Sequence, residues 1–351
     1  MKPVNVFDYE TLAMERLDVP AWDFYNGGSE DEVTLRANRS AFERIRLRPR
    51  VLVNVSACDL QTSVLGDRIS MPVLIAPVAG HGMAHPNGEC ATARAAGEMG
   101  TLMVVSTDST LSLEDIAQAA SGPLWFQLYI YTYDEARQLI RRAEEAGYEA
   151  IVLTVDAPRL GRRERDLRND FQRYNINTFA GAFKGNANHL MGRSDGEEAA
   201  QYIGDTLTWE VIPWLRSETK LPLILKGIVT AEDAELALEH HVDGIIVSNH
   251  GGRQLDGTIA SIDALPPVLN TVAGRCEVYL DGGIRRGSDI LKALSLGARA
   301  VLIGRPVIWG LAAAGQQGVR SVLEILRDEL ELAMILAGCP TIESITQALT
   351  S

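Results

Sequence analysis

The chain has 351 residues, of which 46% are hydrophobic and 23% charged, and this composition excludes a largely disordered or fibrous protein. Its 33 lysines and arginines stand against 46 aspartates and glutamates, which gives a formal net charge of −13. A chain this acidic is a poor binder of nucleic acid or of an anionic membrane surface. Any anionic ligand therefore requires a local basic pocket.

Targeting and redox signals are weak. No segment approaches the ~20 apolar residues of a membrane span, and residues 1–5 lack the apolar stretch of a signal peptide. The cysteines are far apart, which indicates reduced thiols in a cytoplasmic protein and no metal site. There are four of them: Cys58, Cys90, Cys276 and Cys339.

The first part of the chain predicts a helical cap. Residues 8–17 have a helical pattern, and a polar stretch follows at residues 27–32. No strand of the main pattern occurs before about residue 70. We therefore expect residues 1–66 to form an N-terminal cap and residues 67–351 to form the rest of a single domain.

Eight short apolar runs follow the cap. Each is rich in β-branched residues and nearly continuous in apolarity, as in parallel strands that are buried on both faces. They span residues 72–76, 102–106, 124–129, 150–155, 222–226, 244–248, 277–281 and 300–304.

Helical patterns separate these runs, at residues 89–99, 133–146 and 288–296 among others. Ser112 and Thr230 resemble the N-caps of further helices. Eight strand–helix units predict a closed (β/α)₈ barrel, the TIM barrel, with a doubly wound open sheet as the alternative. The helix predicted at residues 319–336 is expected to cover the bottom of the barrel.

One connection is much longer than the others. About 70 residues separate the starts of the fourth and fifth runs, and the insert at about residues 160–206 carries Arg162, Arg163, Arg165 and Arg168 near its start. Long connections inside compact barrels are commonly functional or disordered. Because this one follows a strand's carboxyl end, we expect it to be a lid over the site.

Polar residues end seven of the eight runs, at the edge where barrel enzymes place their active sites. A purely structural strand needs no polar residue there. The residues are Ser106, Gln127, Tyr129, Thr154, Asp156, Lys226, Ser248, Asn249, His250, Asp281, Gly304 and Arg305.

Two glycine-rich turns follow the last two runs. The first is residues 281–287, which include Gly282, Gly283 and Arg285, and the second begins at Gly304 and Arg305. Glycine lets backbone N–H groups approach a phosphate, and arginine neutralises it. The alternative is that the glycines only close tight turns, but two such loops with arginine favour a phosphate site.

His250 and Arg253 follow the sixth run in the segment Ser-Asn-His-Gly-Gly-Arg-Gln-Leu-Asp, residues 248–256. Imidazole suits a general base, and arginine can bind a carboxylate through two hydrogen bonds. Asp156 could orient the imidazole, and Lys226, expected to be buried, needs an electron-rich partner such as an anionic cofactor ring. The pattern indicates proton removal from a substrate that carries a carboxylate.

At these motifs the chain resembles the FMN-dependent 2-hydroxy-acid oxidase and dehydrogenase family. Residues 248–256 are close to that family's signature, and residues 47–50, 153–158, 161–163, 281–283 and 303–306 also match. The resemblance extends from about residue 8 to the C-terminus, apart from the middle of the insert.

The resemblance implies oxidation of an (S)-2-hydroxy acid to the 2-oxo acid. His250 would take the hydroxyl proton while hydride passes to flavin N5, and Asp156 would stabilise the imidazolium. Arg253 and Arg163 would hold the substrate carboxylate, with Tyr129 hydrogen-bonded near the reacting oxygen. Reoxidation by O₂ would give H₂O₂, although an external acceptor would make the protein a dehydrogenase.

The resemblance also implies FMN as the cofactor and a homotetramer as the assembly. Lys226 would lie against flavin N1 and O2 and stabilise the reduced ring. The other implied cofactor contacts are Ala76, Pro77, Val78, Ser106, Gln127, Thr154, Ser248, Asp281, Gly282, Gly283, Arg285, Gly304 and Arg305.

Three positions depart from the family pattern. Phe24 stands where its oxidases commonly have a substrate-binding tyrosine, and Gly80 where a larger residue often packs. Both favour a substrate larger than glycolate. Asp108 stands where glycolate oxidase has tryptophan, and it either contacts an amine or hydroxyl of the substrate or caps the following helix.

Two other functions stay open from the sequence. One is a different FMN-barrel reaction, such as oxidation of an amine or a modified peptide, or an oxidative decarboxylation. The other is a barrel that binds a flavin or phosphate without catalysis. His250, Arg253, Tyr129 and Asp156 argue against pure binding, because binding needs no general base.

Overall fold

In the computed structural model, residues 2–171 and 206–350 are described. Within them, eight parallel strands form a closed barrel in chain order, the last pairing with the first. The strands are β3 Val73–Ile75, β4 Met103–Ser106, β5 Leu124–Leu128, β6 Ala150–Thr154, β7 Leu223–Ile228, β8 Gly244–Val247, β9 Glu277–Asp281 and β10 Ala300–Ile303. The predicted (β/α)₈ barrel is thus confirmed, and each predicted run coincides with a strand to within two residues at either end.

The helices of the described residues surround this barrel. Those before β3 and between the strands are α1 Val6–Arg16, α2 Val19–Asn26, α3 Val33–Arg44, α4 Gly88–Glu98, α5 Leu113–Ala119, α6 Tyr133–Glu145, α7 Glu164–Arg168, α8 Val211–Glu218, α9 Ala231–Glu239, α10 Ser261–Val272 and α11 Gly287–Leu296. The last is α12 Arg305–Ala337, kinked at Ala314 and Gly315. Ser112 and Thr230 cap α5 and α9 as predicted, each accepting a backbone N–H three residues later.

A hairpin rather than the C-terminal helix closes the bottom of the barrel. Strands β1 Thr62–Val64 and β2 Asp67–Ile69 pair antiparallel, and the backbone N–H of Leu65 donates to Glu277, the first residue of β9, at 3.1 Å. Val64 and Ile69 join the apolar side chains of the barrel interior, such as Trp125 of β5. The hairpin lies across the predicted boundary between cap and barrel.

The prediction that the C-terminal helix covers the barrel bottom is wrong. Its residues form the second half of α12, which packs against α1, α4 and α11 at the side of the barrel. The physical reason is that this helix is apolar over much of its surface, with Val319, Leu326 and Met334 fully buried. A helix with such a face is accommodated between other helices.

The cap segment lies against the loops at the carboxyl ends of β8 and β10. The backbone N–H groups of Val33 and Thr34 at the start of α3 donate to Asp256, at 3.1 and 2.8 Å. Asn38 of α3 and Asn249 exchange amide hydrogen bonds of 2.8 Å in both directions. These contacts hold α3 over the mouth of the barrel.

The predicted lid falls mostly on residues 172–205, outside the described residues. Its described beginning contains α7, whose Arg165 forms an ion pair of 2.7 Å with Glu32 at the N-terminus of α3. The start of the insert is therefore joined to the cap.

Candidate active site

A cavity of about 1270 Å³ opens at the carboxyl ends of the barrel strands. Pockets for one small molecule usually measure about 300–1000 Å³, so this cavity has room for a cofactor and a substrate together. Most of the predicted site residues line it. These are Phe24, Ala76, Pro77, Val78, Ser106, Asp108, Gln127, Tyr129, Thr154, Arg163, Lys226, His250, Arg253, Asp281, Gly282, Gly283, Arg285, Gly304 and Arg305.

Three predicted residues lie behind the cavity wall and support residues that line it. Gly80 accepts a hydrogen bond of 2.5 Å from the hydroxyl of Tyr25 through its carbonyl oxygen. Asp156 contacts His250, and Ser248 Oγ accepts hydrogen bonds of 3.0 Å from both the Lys226 ammonium and the His250 backbone N–H.

His250 and Asp156 form an imidazole–carboxylate pair, with Nδ1 3.0 Å from Oδ1. The other ring nitrogen, Nε2, lies 3.4 Å from the Tyr129 hydroxyl and is on the cavity side. His250 has a left-handed backbone with φ +57°, an uncommon conformation for a non-glycine residue that is characteristic of functional sites. This uncommon backbone conformation therefore belongs to a histidine whose Nε2 faces the cavity, where a ligand can reach it.

The charges around the pair favour a neutral imidazole beside an ionised carboxylate. Burial lowers the pKa of His250 and outweighs the opposite effect of Asp156, while Lys226 lowers it further. Burial alone would raise the pKa of Asp156, but His250 and Lys226 together hold it below its usual range. His250 is therefore unprotonated at neutral pH, as a general base must be.

Lys226, the fourth residue of β7, is fully surrounded by protein. Burial opposes its charge, but Asp281 at 3.3 Å and Asp156 outweigh that effect and raise its pKa. It remains an ammonium group at the cavity wall. One oxygen of its partner, Asp281 Oδ1, is buried without a hydrogen-bond partner among the described residues.

A hydrogen-bonded row of side chains crosses β4, β5 and β6. Ser106 Oγ donates to Gln127 Oε1 at 3.1 Å, and Gln127 Nε2 donates to Thr154 Oγ1 at the same distance. The three residues face the cavity from neighbouring strands in register, Ser106 opposite Gln127. They offer a flat polar edge to a planar ligand.

Arg253 and Arg163 are cationic groups of the cavity wall that form no ion pair within 4 Å in the described part of the chain. Arg253 donates to the backbone oxygens of Phe24 and Gly27, and burial with two neighbouring arginines lowers its pKa strongly. Burial also lowers the pKa of Arg163. Because a guanidinium stays charged in proteins, both side chains favour an anion in the cavity, and a carboxylate fits their geometry.

Arg285 and Arg305 form a second cationic corner, beside the two glycine-rich turns. In the part of the chain that the structure describes, their guanidinium groups donate to backbone carbonyl oxygens and form no ion pair within 4 Å; Arg285 donates to that of Ile284 at 2.8 Å. Burial lowers the pKa of Arg285 to about 9 and of Arg305 to about 10. The guanidinium of Arg285 lies 4.6 Å from the ring centre of Trp309. These unpaired charges fit a phosphate group.

Comparison with known proteins identifies the chain. The sequence pattern of the family described as FMN-dependent dehydrogenase matches residues 13–351. The chain belongs to this family. It is an enzyme of the FMN-dependent 2-hydroxy-acid oxidase and dehydrogenase group, and its cofactor is FMN.

Named relatives agree over nearly the whole chain. It is 52% identical to the L-lactate oxidase of Nostoc sp. over 355 residues, which cover 98% of this chain and 96% of the relative. It is 50% identical to the peroxisomal (S)-2-hydroxyacid oxidase GLO3 of Arabidopsis thaliana, over 98% of this chain and 95% of the relative. A solved structure of mandelate oxidase with (S)-2-phenylpropionate superposes with a TM-score of 0.87 at 44% identity, covering 98% and 97% of the two chains.

The residues of this chain fit FMN. The second cationic corner provides Arg285 and Arg305 for a phosphate. Asp281 Oδ1, which has no hydrogen-bond partner among the described residues, can accept a hydrogen bond from a ribityl hydroxyl. A Cβ on Gly304 would lie 3.3 Å from the Val78 side chain, so glycine keeps the cavity open there.

None of the helices among the described residues is long and apolar enough to cross a membrane.

The structure also brings in residues that the sequence reasoning missed. Tyr131 and Asp166 line the cavity, and the Tyr131 hydroxyl donates to Asp108. Tyr131 was detectable because it lies two residues after Tyr129 beyond β5, a spacing that places both side chains on one side of extended backbone. No sequence signal singled out Asp166, whose raised pKa results from burial, opposed by Arg253.

Asp108 does not cap the following helix. The N-cap of α5 is Ser112, whose side chain accepts from the N–H of Asp115. The capping alternative is wrong because α5 begins five residues beyond Asp108, too far for the reach of its side chain. Asp108 is instead on the cavity wall with Phe24.

Proposed function

We propose that the chain oxidises an (S)-2-hydroxy acid to the corresponding 2-oxo acid, with O₂ as the final electron acceptor and H₂O₂ as its product. The observation that carries the proposal is the arrangement of His250 Nε2 at the cavity, Asp156 at Nδ1, and Arg253 in the same wall with no ion pair to any residue of 2–171 or 206–350. A base beside a carboxylate anchor matches a substrate whose hydroxyl and carboxylate are on adjacent carbons.

His250 acts as the general base that removes the proton of the substrate hydroxyl. Nε2 takes the proton of the substrate hydroxyl, which is favourable because the imidazole starts neutral. The charge that develops on the ring is stabilised by Asp156 at 3.0 Å, which also fixes the tautomer with the proton on Nδ1. Tyr129, whose hydroxyl is 3.4 Å from Nε2, is placed to hydrogen-bond the same substrate oxygen.

Arg253 and Arg163 orient the substrate through its carboxylate. Arg253 is fixed from one side by the carbonyl oxygens of Phe24 and Gly27, and Arg163 donates to the carbonyl oxygen of Arg253 at 3.5 Å. A carboxylate held between two such guanidinium groups leaves little freedom for the adjacent carbon. The cap residues therefore take part in substrate binding through Arg253.

When bound, FMN would supply the acceptor for the hydride that leaves C2 of the substrate, and its two electrons would then go to O₂ or to another oxidant. Lys226 holds a positive charge at the cavity wall, where it favours the electron-rich form of a flavin ring. Ser106, Gln127 and Thr154 provide the polar row that would bind the ring edge.

We propose a substrate larger than glycolate. Phe24 brings no hydroxyl to the cavity, its ring stacks on Phe171 at 4.5 Å, and the guanidinium of Arg253 lies 5.0 Å from its ring centre. Phe24 and Phe171 thus offer an apolar wall to a substrate side chain, whereas Gly80 lies behind the cavity wall.

We also propose a cytoplasmic homotetramer. The four unpaired cysteines are compatible with a reducing compartment. Val51 and Leu52 are 81% and 103% exposed beside each other, an apolar surface that assembly would cover. Size-exclusion chromatography with light scattering tests the assembly, and a monomeric mass would refute it.

The function is tested by a panel of 2-hydroxy acids and amines. Purified protein should be yellow, and (S)-2-hydroxy acids should give peroxide in air. The same panel with an artificial electron acceptor separates oxidase from dehydrogenase behaviour. Flavin reduction by amines alone would refute the proposal.

A further inference from the structure

A buried carboxylate faces the cavity at a position that the proton and carboxylate chemistry does not use. Asp108 is 6% exposed and lines the cavity with Tyr131, whose hydroxyl donates to its two oxygens at 3.2 and 3.1 Å. Its backbone is held on both sides, since its N–H donates to Ser106 Oγ at 3.1 Å and its carbonyl accepts from Gly80 N–H at 3.0 Å. The position of the carboxylate is thus fixed by the barrel.

Among the described residues, this carboxylate has fewer hydrogen-bond donors than acceptor sites. Burial raises the pKa of Asp108 to about 6, although the hydrogen bond from Tyr131 and the charge of Arg163 act in the opposite direction. It is therefore ionised at neutral pH. An ionised carboxylate has about four acceptor sites, and no ion pair within 4 Å fills them among the residues that the structure describes. A buried acceptor in this state requires a further donor, which a ligand can supply.

We infer that Asp108 and Tyr131 form a subsite that selects 2-hydroxy acids with a hydroxyl group on the side chain. The inference rests on the proposed function and names the substrate class within it. An apolar side chain would leave the carboxylate desolvated and would add no donor to the Tyr131 hydroxyl. An ammonium group would meet Arg163 and Arg253 in the same cavity, so a neutral donor fits the charges better.

The subsite lies beside the reacting centre. The ring centres of Tyr131 and Tyr129 are 6.1 Å apart, and the Tyr129 hydroxyl is 3.4 Å from Nε2 of His250. Two neighbouring tyrosines of one cavity wall thus join His250, where the C2 hydroxyl would be bound, to Asp108. Phe24 and Phe171 line the same cavity and offer an apolar wall.

The test compares matched substrates that differ by one hydroxyl. The pairs are (S)-lactate with (S)-glycerate, (S)-2-hydroxybutanoate with (S)-2,4-dihydroxybutanoate, and (S)-mandelate with (S)-4-hydroxymandelate. We expect kcat/KM to favour the hydroxylated member of at least one pair by about 10- to 100-fold, the range of a hydrogen bond to a charged group. Asp108→Ala should remove that preference by raising KM for the hydroxylated member, with the other member little affected.

Controls separate binding from structural damage. Asp115→Ala, at an exposed acid on α5, should leave the ratio unchanged, and retained FMN together with an unchanged urea midpoint shows that the Asp108 variants are folded. In the His250→Gln holoenzyme, titration of the same pairs by flavin absorbance should show the hydroxyl preference in Kd without turnover. Adding Asp108→Ala to that variant should abolish the Kd preference.

The outcomes are distinct. Flavin that no 2-hydroxy acid reduces would refute the proposed function itself. Reduction by these acids with ratios near 1 in all three pairs, or with a preference that survives Asp108→Ala, would overturn the subsite alone. Preference for a 3-amino or 4-amino analogue over its hydroxyl counterpart would also overturn it, in favour of a cation site.

Discussion

Replacing Gly227 by alanine should impair catalysis by displacing Asp156. Gly227 lies in β7 with φ +116°, and a Cβ there would be 2.6 Å from the Cβ of Asp156 and 2.7 Å from its Cγ. Carbon atoms pack at about 3.5–4 Å, so Asp156 must move by about 1 Å. The 3.0 Å contact between its Oδ1 and His250 Nδ1 does not survive such a shift.

The size of the effect follows from the lost contact. A hydrogen bond to a charged group contributes about 1.5–3 kcal/mol, which corresponds to about a 10- to 150-fold lower kcat. Asp156 acts on the imidazolium, which exists only after proton transfer, so KM should change much less than kcat. Steady-state kinetics with the best substrate of the panel measures both.

Gly147 offers a matched control. It also has a positive φ, +86°, but a Cβ there meets nothing within 4 Å. Gly147→Ala therefore carries a similar backbone cost of about 1–2 kcal/mol without a clash, and should lower the urea midpoint while kcat stays constant. The reasoning is refuted if Gly227→Ala has the kcat of Gly147→Ala. Should Gly227→Ala not retain FMN, Asp156→Asn provides the same comparison.

Three further predictions concern pH, the cofactor and stability. Activity should fall as the pH drops through the lowered pKa of His250, so the acid limb of kcat/KM should lie below pH 6.5. Asp156→Asn should move that limb to still lower pH, because the carboxylate raises the pKa of His250, and an upward shift would contradict the assignment. Arg305→Ala should raise the Kd for FMN by about 30-fold or more in a fluorescence titration, whereas Arg299→Ala, at a residue bonded to the hairpin strand β1, should leave it unchanged. Glu89→Ala should lower the free energy of unfolding in urea by about 2–5 kcal/mol, because the buried Oε1 of Glu89 accepts two backbone N–H groups at 3.0 and 2.8 Å. An unchanged urea midpoint would contradict this and would show that water replaces the carboxylate oxygen.

The barrel could be predicted from sequence because its strands are buried on both faces. Leu223 to Leu225 and Ala300 to Leu302, for example, are almost completely buried, and such runs stand out by continuous apolarity alone. The β1–β2 hairpin escaped prediction because its strands have three residues each, and only contact with the barrel interior makes Val64 and Ile69 apolar core residues.

The candidate site was predictable where residues follow strand ends in the chain. Contacts between segments that are far apart in the chain were not predictable. The donation by Arg253 to Phe24 and Gly27 joins residues more than 220 positions apart, and nothing local encodes it. The same holds for Asp108, whose sequence context allowed a helix cap and whose cavity position depends on the packing of β4 beside β5.

The most direct test of the account is anaerobic reduction of the bound flavin by an (S)-2-hydroxy acid, followed by absorbance in the wild-type protein and in His250→Gln. The account predicts rapid bleaching of the wild-type flavin by the (S) enantiomer and little by the (R) enantiomer. It predicts that His250→Gln retains FMN but is reduced at least 100-fold more slowly, the loss expected for a general base. Reduction of His250→Gln at the wild-type rate would contradict the central claim that this imidazole removes the substrate proton.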